Sequence, residues 1–302
     1  MQVFTHSACL LHETGPGHPE RTARLRAIID ALEKAHPDLD WQQAPRATRG
    51  QLLRVHDERL LAAVLETEVE TLFHLDPDTV LGPHSAEAAL RAAGAAVAAV
   101  DAVMHGARRA FCAVRPPGHH ATTTSAMGFC LFNNVAMAAA HALDKHGLER
   151  VAIVDFDVHH GNGTQAIFES DARVLFASSH QRPLYPGTGG VRERGIGNMA
   201  NAPLAAGADS QAFQHVWRER LLPRVDAFRP QLLLVSAGFD GHRDDPQAEL
   251  QLQTEDYAWI TRELVTIADR NCDGRLVSTL EGGYDLQALA ASCVAHVDAL
   301  RF

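Results

Sequence analysis

V-A-I-V-D-F-D-V-H-H-G-N-G-T, residues 151–164, opens as an apolar run and closes on aspartates, histidines and glycines. A short run of Val, Ile and Ala ending in polar and Gly residues reads as a buried strand, Val151–Asp155. In an extended stretch alternate side chains share a side, so Asp155, Asp157 and His159 fall on one side. Loop twist can aim two of them at one ion. One Asp oxygen and one His nitrogen make half of a zinc site. The best third ligand elsewhere is Asp240, in S-A-G-F-D-G-H. Three protein ligands leave a position open, the arrangement of a catalytic metal. Taken alone, Asp240 fits a turn as well as a ligand. The full D-x-D-x-H-H-G-x-G string is harder to dismiss, because such polar residues ending an apolar strand are costly without a function.

Outward from this segment the same alternation recurs. Val3–Thr5, Ala110–Val114, Val174–Ser178, Leu232–Ser236 and Leu276–Leu280 read as further strands. Helical patterns lie near Glu20–Lys34, Glu58–Thr71, Glu87–His105, Val135–His146, Ser210–Arg220, Glu255–Arg270 and Leu286–Ala299. Pro19 suits the first turn of its helix. Strands alternating with helices predict an α/β fold: a mainly parallel sheet with helices on both faces. No repeat, low-complexity tract or linker divides the chain, so residues 1–302 are expected to form one domain. The unusual residues follow strands, at 115–120, 155–163, 178–180, 236–240 and 281–284, and in a parallel sheet such segments share the carboxyl edge where ligand sites form.

Three more segments carry chemistry. In R-P-P-G-H-H-A, residues 115–121, Pro-Pro-Gly forces an irregular loop able to present both His119 and His120. Tandem histidines suit proton transfer near neutral pH, although a bare His-His pair is more often solvated. In L-E-G-G-Y-D, residues 280–285, the glycines let the backbone approach a site, and Tyr284 can hydrogen-bond a developing oxyanion. A half-buried turn tyrosine is the plainer alternative. In G-F-C-L-F-N-N and L-Y-P-G-T-G, Phe129 and Tyr185 can wall a channel for an aliphatic chain, though aromatics usually just pack.

Composition narrows the class. Apolar residues make up 46 %, enough for a large core. The net charge of −10 argues against nucleic acid as a main partner and suits a cationic substrate. Among 18 histidines, His36, His74, His105, His146, His215 and His296 are expected to sit in no cluster. The five cysteines include no C-x-x-C pair, which fits a reducing, cytoplasmic setting. The start of the chain has no basic region followed by an apolar run, so no signal peptide is expected. Glu87, Arg91 and Asp101 break the Ala-rich stretch 86–107, which reads as a buried helix and not a membrane span.

Together the strings H-P-E-R (18–21), R-P-P-G-H-H-A, G-F-C-L-F-N-N, D-F-D-V-H-H-G-N-G-T, Y-P-G-T-G, S-A-G-F-D and E-G-G-Y resemble the histone deacetylase and acetylpolyamine amidohydrolase family, whose sheet is shared with arginase. They come in the family's order and span nearly the whole chain. Asn162 and the E-G-G-Y form look closer to class II members. The resemblance implies a zinc-dependent hydrolase that removes an acyl group from an amine. It implies Asp157, His159 and Asp240 as zinc ligands and His119 and His120 as the proton-transfer pair, supported by Asp155 and Asn162 respectively. Tyr284 would polarise the scissile carbonyl, and Gly128, Phe129 and Tyr185 would line the substrate tunnel. It further implies potassium at Asp155, Ser178 and Ser179 with main-chain oxygens of Asp157 and His159. A second potassium would lie at Phe168, Asp171, Val174 and Asn198. The implied substrates are an acylated lysine in a peptide or protein, an acetylated polyamine, or another small amide. Polyamine-selective members tend to carry an acidic rim residue. That position falls on Gln247, near Asp244, Asp245 and Glu249, which leans toward acyl-lysine.

Two other readings compete. An arginase-like ureohydrolase would use two manganese ions and needs more Asp ligands than the single D-x-D-x-H-H string supplies. A non-catalytic acyl-lysine binding module would be expected to have lost a histidine, a ligand or the tyrosine, and all are present.

Overall fold

The structure is a computed structural model describing residues 1–302. Its strands are β1 (Gln2–Thr5), β2 (Asp40–Gln43), β3 (Phe73–His74), β4 (Val80–Leu81), β5 (Arg109–Cys112), β6 (Val151–Asp155), β7 (Val174–Gln181), β8 (Met199–Leu204), β9 (Leu232–Ala237) and β10 (Leu276–Leu280). Its helices are α1 (Thr22–Ala35), α2 (Arg49–Leu52), α3 (Glu58–Leu65), α4 (Ser85–Met104), α5 (Asn134–Lys145), α6 (Asn162–Phe168), α7 (Ser210–Val216), α8 (Leu222–Phe228), α9 (Thr254–Asn271) and α10 (Leu286–Arg301). Eight strands form one sheet in the order β2-β1-β5-β10-β9-β6-β7-β8. Every pairing in it is parallel, and β3 and β4 make a separate antiparallel pair. Helices α4 and α5 pack on one face, and α9 and α10 on the other, with α1 against α10 and α8 under β7. The expected α/β class and the helices on both faces are what the structure has.

The central strands β6, β9 and β10 are buried along their whole length, as strands covered on both faces must be. That is why their apolar runs are legible in sequence. The two edge strands of the sheet, β2 and β8, carry no β-branched apolar signature in sequence. D-W-Q-Q is polar, and M-A-N-A-P-L has no β-branched residue and contains Pro203, which an edge strand tolerates. The β3–β4 pair was not expected either.

Other boundaries are corrected. Strand β7 runs on to Gln181, past the expected end at Ser178, so Ser179 and His180 are strand residues and not a loop. Helix α1 begins at Thr22, which leaves Pro19 and Glu20 outside it. Helix α3 stops at Leu65 and not at Thr71. The pattern at 210–220 resolves into α7, a π-turn at Trp217–Leu221 and then α8. Asn162 opens the short helix α6.

Gly94 lies inside α4, where alanine would ordinarily be the better helix former. A Cβ at that position would stand 1.9 Å from the carbonyl oxygen of Pro45. Close backbone contact therefore decides the sign. Gly94→Ala is expected to destabilise by about 1–3 kcal/mol, read as a lower urea midpoint. A stabilised variant would show that the contact yields freely.

Candidate active site

The loops after β5, β6, β9 and β10 meet at the carboxyl edge of the sheet. They bring His119, His120, His159 and Tyr284 to one cavity of about 120 Å³, with Phe129 and Tyr185 on its walls. Gly128 and Gln247 also line it. Four of the five segments expected from sequence therefore converge, and the fifth, 178–180, continues strand β7 and does not line the cavity.

His159 Nδ1 lies 3.1 Å from Asp157 Oδ1 and 3.2 Å from Asp240 Oδ2. Asp155 does not join them. Its Oδ2 accepts from His119 Nδ1 at 2.9 Å, while Oδ1 accepts the Asp157 N–H at 3.1 Å. Both ligand-type carboxylates are buried. Burial lowers the pKa of His159, and Asp157 and Asp240 overcome it, pushing it up to about 10. Two buried carboxylates thus favour positive charge where three atoms able to ligate a metal meet. The spacing agrees: zinc bonds near 2.0 Å in a tetrahedron set ligand atoms roughly 3.3 Å apart.

A second group differs. Asp101 Oδ1 lies 2.8 Å from His141 Nε2 and 2.7 Å from His146 Nε2. These are hydrogen-bond lengths, and Arg54 Nη1 donates to His141 Nδ1 at 3.0 Å. A guanidinium in the group and a carboxylate 44 % exposed suit a hydrogen-bonded network better than an ion. His146 is nonetheless in a cluster, contrary to expectation, and His105 stacks near it at 5.9 Å. The two histidines are the C-caps of α5 and α4, so the meeting of two helix ends, invisible in sequence, makes the cluster.

The adjacent histidines have unlike partners. His120 Nδ1 donates to Asn162 Oδ1 at 2.7 Å. Burial lowers the pKa of His119, but Asp155, Asp157 and Glu281 overcome it and hold it well above 6.5. For His120, burial and then the neighbouring His119 and His159 hold it well below 6.5. The rings stand 4.0 Å apart between centroids. A charged partner favours imidazolium, and a neutral amide does not.

Gly128 has φ +56, and a Cβ there would come within 2.5 Å of the His120 ring. Phe129 follows at φ +68, a left-handed conformation rare for a bulky residue. It is held by its N–H to Thr79 Oγ1 at 3.1 Å and by the His18 ring at 4.7 Å. Tyr185 is 38 % exposed and packs edge-on to His120. At the proposed potassium positions, Ser178 pairs in register with Asp155, but its hydroxyl meets His180 Nδ1 at 2.9 Å. Ser179 Oγ accepts from Trp217 Nε1 at 3.0 Å. The carbonyl oxygens of Phe168, Asp171 and Val174 converge on Asn198 Nδ2 at 2.8, 3.0 and 2.9 Å.

Several further residues support the site through partners remote in sequence. Asp78 lines the pocket, and burial and Asp76 push its carboxyl up to about 6. Glu281 Oε2 accepts the N–H groups of Gly118 and His119 at 2.6 and 3.1 Å, tying the histidine loop to the Tyr284 loop. Asn133 caps α5 and donates to the Ala121 carbonyl at 3.1 Å. Beneath the site Glu20 is held by Arg115 Nη2 at 2.6 Å and Arg24 Nη1 at 2.9 Å, all three wholly buried. Arg24 also donates to the carbonyls of Glu281 and Gly283, and its guanidinium lies 4.8 Å over the Tyr284 ring. Glu20 belongs to the quoted H-P-E-R string, but nothing local in it reveals partners this remote in sequence.

Residues 18–300 match the histone deacetylase domain family. A probable deacetylase of Archaeoglobus fulgidus is 41 % identical over 94 % of this chain and 81 % of its own. A histone deacetylase-like amidohydrolase of Pseudomonas aeruginosa is 38 % identical over 93 % of this chain and 80 % of its own. The crystal structure of the HDA15 HD domain superposes with a TM-score of 0.94 at 37 % identity, covering 99 % of this chain and 87 % of that one. The chain belongs to the histone deacetylase domain family. That family's deacetylase and amidohydrolase chemistry, typically metal-dependent, comes with it, and the three-residue group at His159 is a candidate metal centre.

Burial would raise the Glu20 carboxyl, but Arg115 and Arg24 overcome it and hold it down at about 2. Its folded pKa lies below the ordinary 4.5, so this contribution is present above pH 4.5 and fades as pH falls toward 2. Glu20→Gln strands two buried guanidinium groups. It is expected to lower unfolding free energy by about 3–5 kcal/mol, measured by urea denaturation at pH 7. A change under about 1 kcal/mol would mean that water reaches the group.

Proposed function

We propose that residues 1–302 form one catalytic domain that hydrolyses an acyl amide, releasing an amine and a carboxylate, with zinc held by Asp157, His159 and Asp240. The observation that carries this reading is that His159, within 3.2 Å of Asp157 and Asp240, opens on the same cavity as the His119–His120 pair and Tyr284. Bound zinc supplies Lewis-acid polarisation of the amide oxygen and acidifies water. His120, neutral and hydrogen-bonded to Asn162, takes a proton from the attacking water. As the C–N bond breaks it gives that proton to the leaving nitrogen. His119, kept as imidazolium by Asp155, supplies charge. The Tyr284 hydroxyl donates to the carbonyl oxygen as negative charge develops there. Phe129 and Tyr185, with Gly128 between their walls, exclude water along the acyl-bearing chain.

The substrate in this reading is an acylated lysine of a peptide or protein, favoured by the neutral Gln247 at the pocket. An acetylated polyamine is the second reading, favoured by Asp78, a carboxylate in the same lining. Potassium at Asp155, Ser178 and Ser179, and at Phe168, Asp171, Val174 and Asn198, would be structural. For the second site the support is the Asn198 amide. Three carbonyls crowd its Nδ2, while its buried Oδ1 has no partner. A cation among those oxygens would let the amide turn its oxygen inward. A reducing, cytoplasmic setting fits five unpaired, buried cysteines, and no helix is long and apolar enough to cross a membrane.

Purified protein is expected to hold about one zinc per chain at the open triad. Chelation should abolish turnover across a panel of acylated peptides and acetylated polyamines, and zinc should restore it. Asp240→Ala should lose the metal and keep the fold. Two manganese per chain, or an active Asp240→Ala, would sink the assignment.

The division between the histidines has its own test. Asn162→Asp puts a carboxylate beside His120 and raises its pKa. The base must be neutral to act, so the acidic limb of kcat/KM should move to higher pH. His120→Ala should lose nearly all turnover and His119→Ala somewhat less. An unmoved limb with normal metal content, or a reversed order of the two alanines, would overturn the assignment.

A further inference from the structure

The loop carrying Tyr284 has two successive glycines, Gly282 and Gly283, so nothing local stiffens it. At Tyr284 itself the backbone N–H is held from outside by one carboxylate. Asp245, in the turn after β9, is 6 % exposed. Its Oδ2 accepts the Tyr284 N–H at 2.6 Å and the Asp285 N–H at 3.2 Å. Its Oδ1 accepts the Gln247 N–H at 3.0 Å. Gln247 lines the cavity and Asp245 does not, so Asp245 reaches the site only through the residues it holds. Three donors converge on it. A carboxylate answers them with acceptors alone, whereas an amide would turn an NH₂ toward one of them. The next residue, Asp285, caps α10 through the N–H groups of Gln287 and Ala288 at 3.0 and 2.8 Å. The Tyr284 backbone is thus pinned between Asp245 and the first turn of α10, with Arg24 gripping the loop's carbonyls from within.

We propose that Asp245 is a positioning residue that sets where the Tyr284 hydroxyl stands over the reacting carbonyl, through the Tyr284 and Asp285 amides. This rests on the oxyanion role assigned to Tyr284 above. A hydroxyl displaced by a fraction of an ångström still binds substrate but no longer meets charge developing in the transition state, so the loss falls on kcat and not on KM.

The test is a double-variant cycle on the metal-loaded enzyme with one acylated-lysine peptide, with zinc content and Tm read for each protein. Tyr284→Phe should lower kcat about 10²–10³-fold. Asp245→Asn should lower it roughly 10- to 100-fold, with KM within about threefold of wild type and zinc retained. On the Tyr284→Phe background, Asp245→Asn should change kcat by less than about twofold, because the hydroxyl it positions is gone. A purely structural role would give the same loss on both backgrounds. Should Asp245→Asn fold poorly, Asp245→Ser, which keeps one short acceptor, is read in the same cycle. Losses that multiply beside a slow Tyr284→Phe overturn the positioning role alone. A Tyr284→Phe enzyme with wild-type kcat overturns the oxyanion role and the positioning role with it.

Discussion

Buried negative charge organises this molecule. Asp155, Asp157, Asp240 and Glu281 are all wholly or almost wholly buried within one cluster of loops. An unpaired buried carboxylate is costly, so each must find donors or a cation. The donors are largely main-chain N–H groups of other loops. Asp157 accepts from Gly282 at 2.8 Å, Asp240 from Val158 at 2.9 Å, and Glu281 from Gly118 and His119. Asp157, Asp240 and Glu281 are therefore satisfied by other loops' backbones, Asp155 by its own loop and the His119 ring, and the carboxyl edge is knitted together by the groups that would do its chemistry.

The remaining charge has to be met by cations, and this gives the site its asymmetry. His119 and His159 face carboxylates and are driven toward the charged form, while His120 faces the Asn162 amide and is not. A proton on His159 stands where the proposed zinc would be, since a metal ion answers the same two carboxylates. One histidine of an adjacent pair is left neutral. Burial is common to both, and the difference between them comes from the carboxylates that face His119 and the neighbouring histidines that face His120.

A similar logic operates one layer below. Arg24 and Arg115 are buried far from water, and Glu20 is the carboxylate that holds both. Arg24 in turn grips the carbonyls of the Tyr284 loop, so the N-terminal segment is tied to the last strand's loop. The left-handed Phe129 and the crowded Gly128 show the same economy of space at the pocket wall.

The sequence by itself determined the central strands, because burial on both faces demands unbroken apolar runs, and it marked the residues that those runs deliver to the carboxyl edge. It also carried the family, since the motifs come in order along nearly the whole chain. Only the tertiary structure decided the edges of the sheet, where strands such as β2 and β8 are defined by a neighbour and not by their own residues. Alternation alone puts Asp155, Asp157 and His159 on one side, and the folded loop shows by what geometry Asp155 turns to His119 while Asp157 and His159 meet Asp240. The tertiary structure alone revealed Arg24 and Asp78 and the roles of Asp245 and Glu281. Their partners lie far away along the chain, so only the folded chain brings donor and acceptor together.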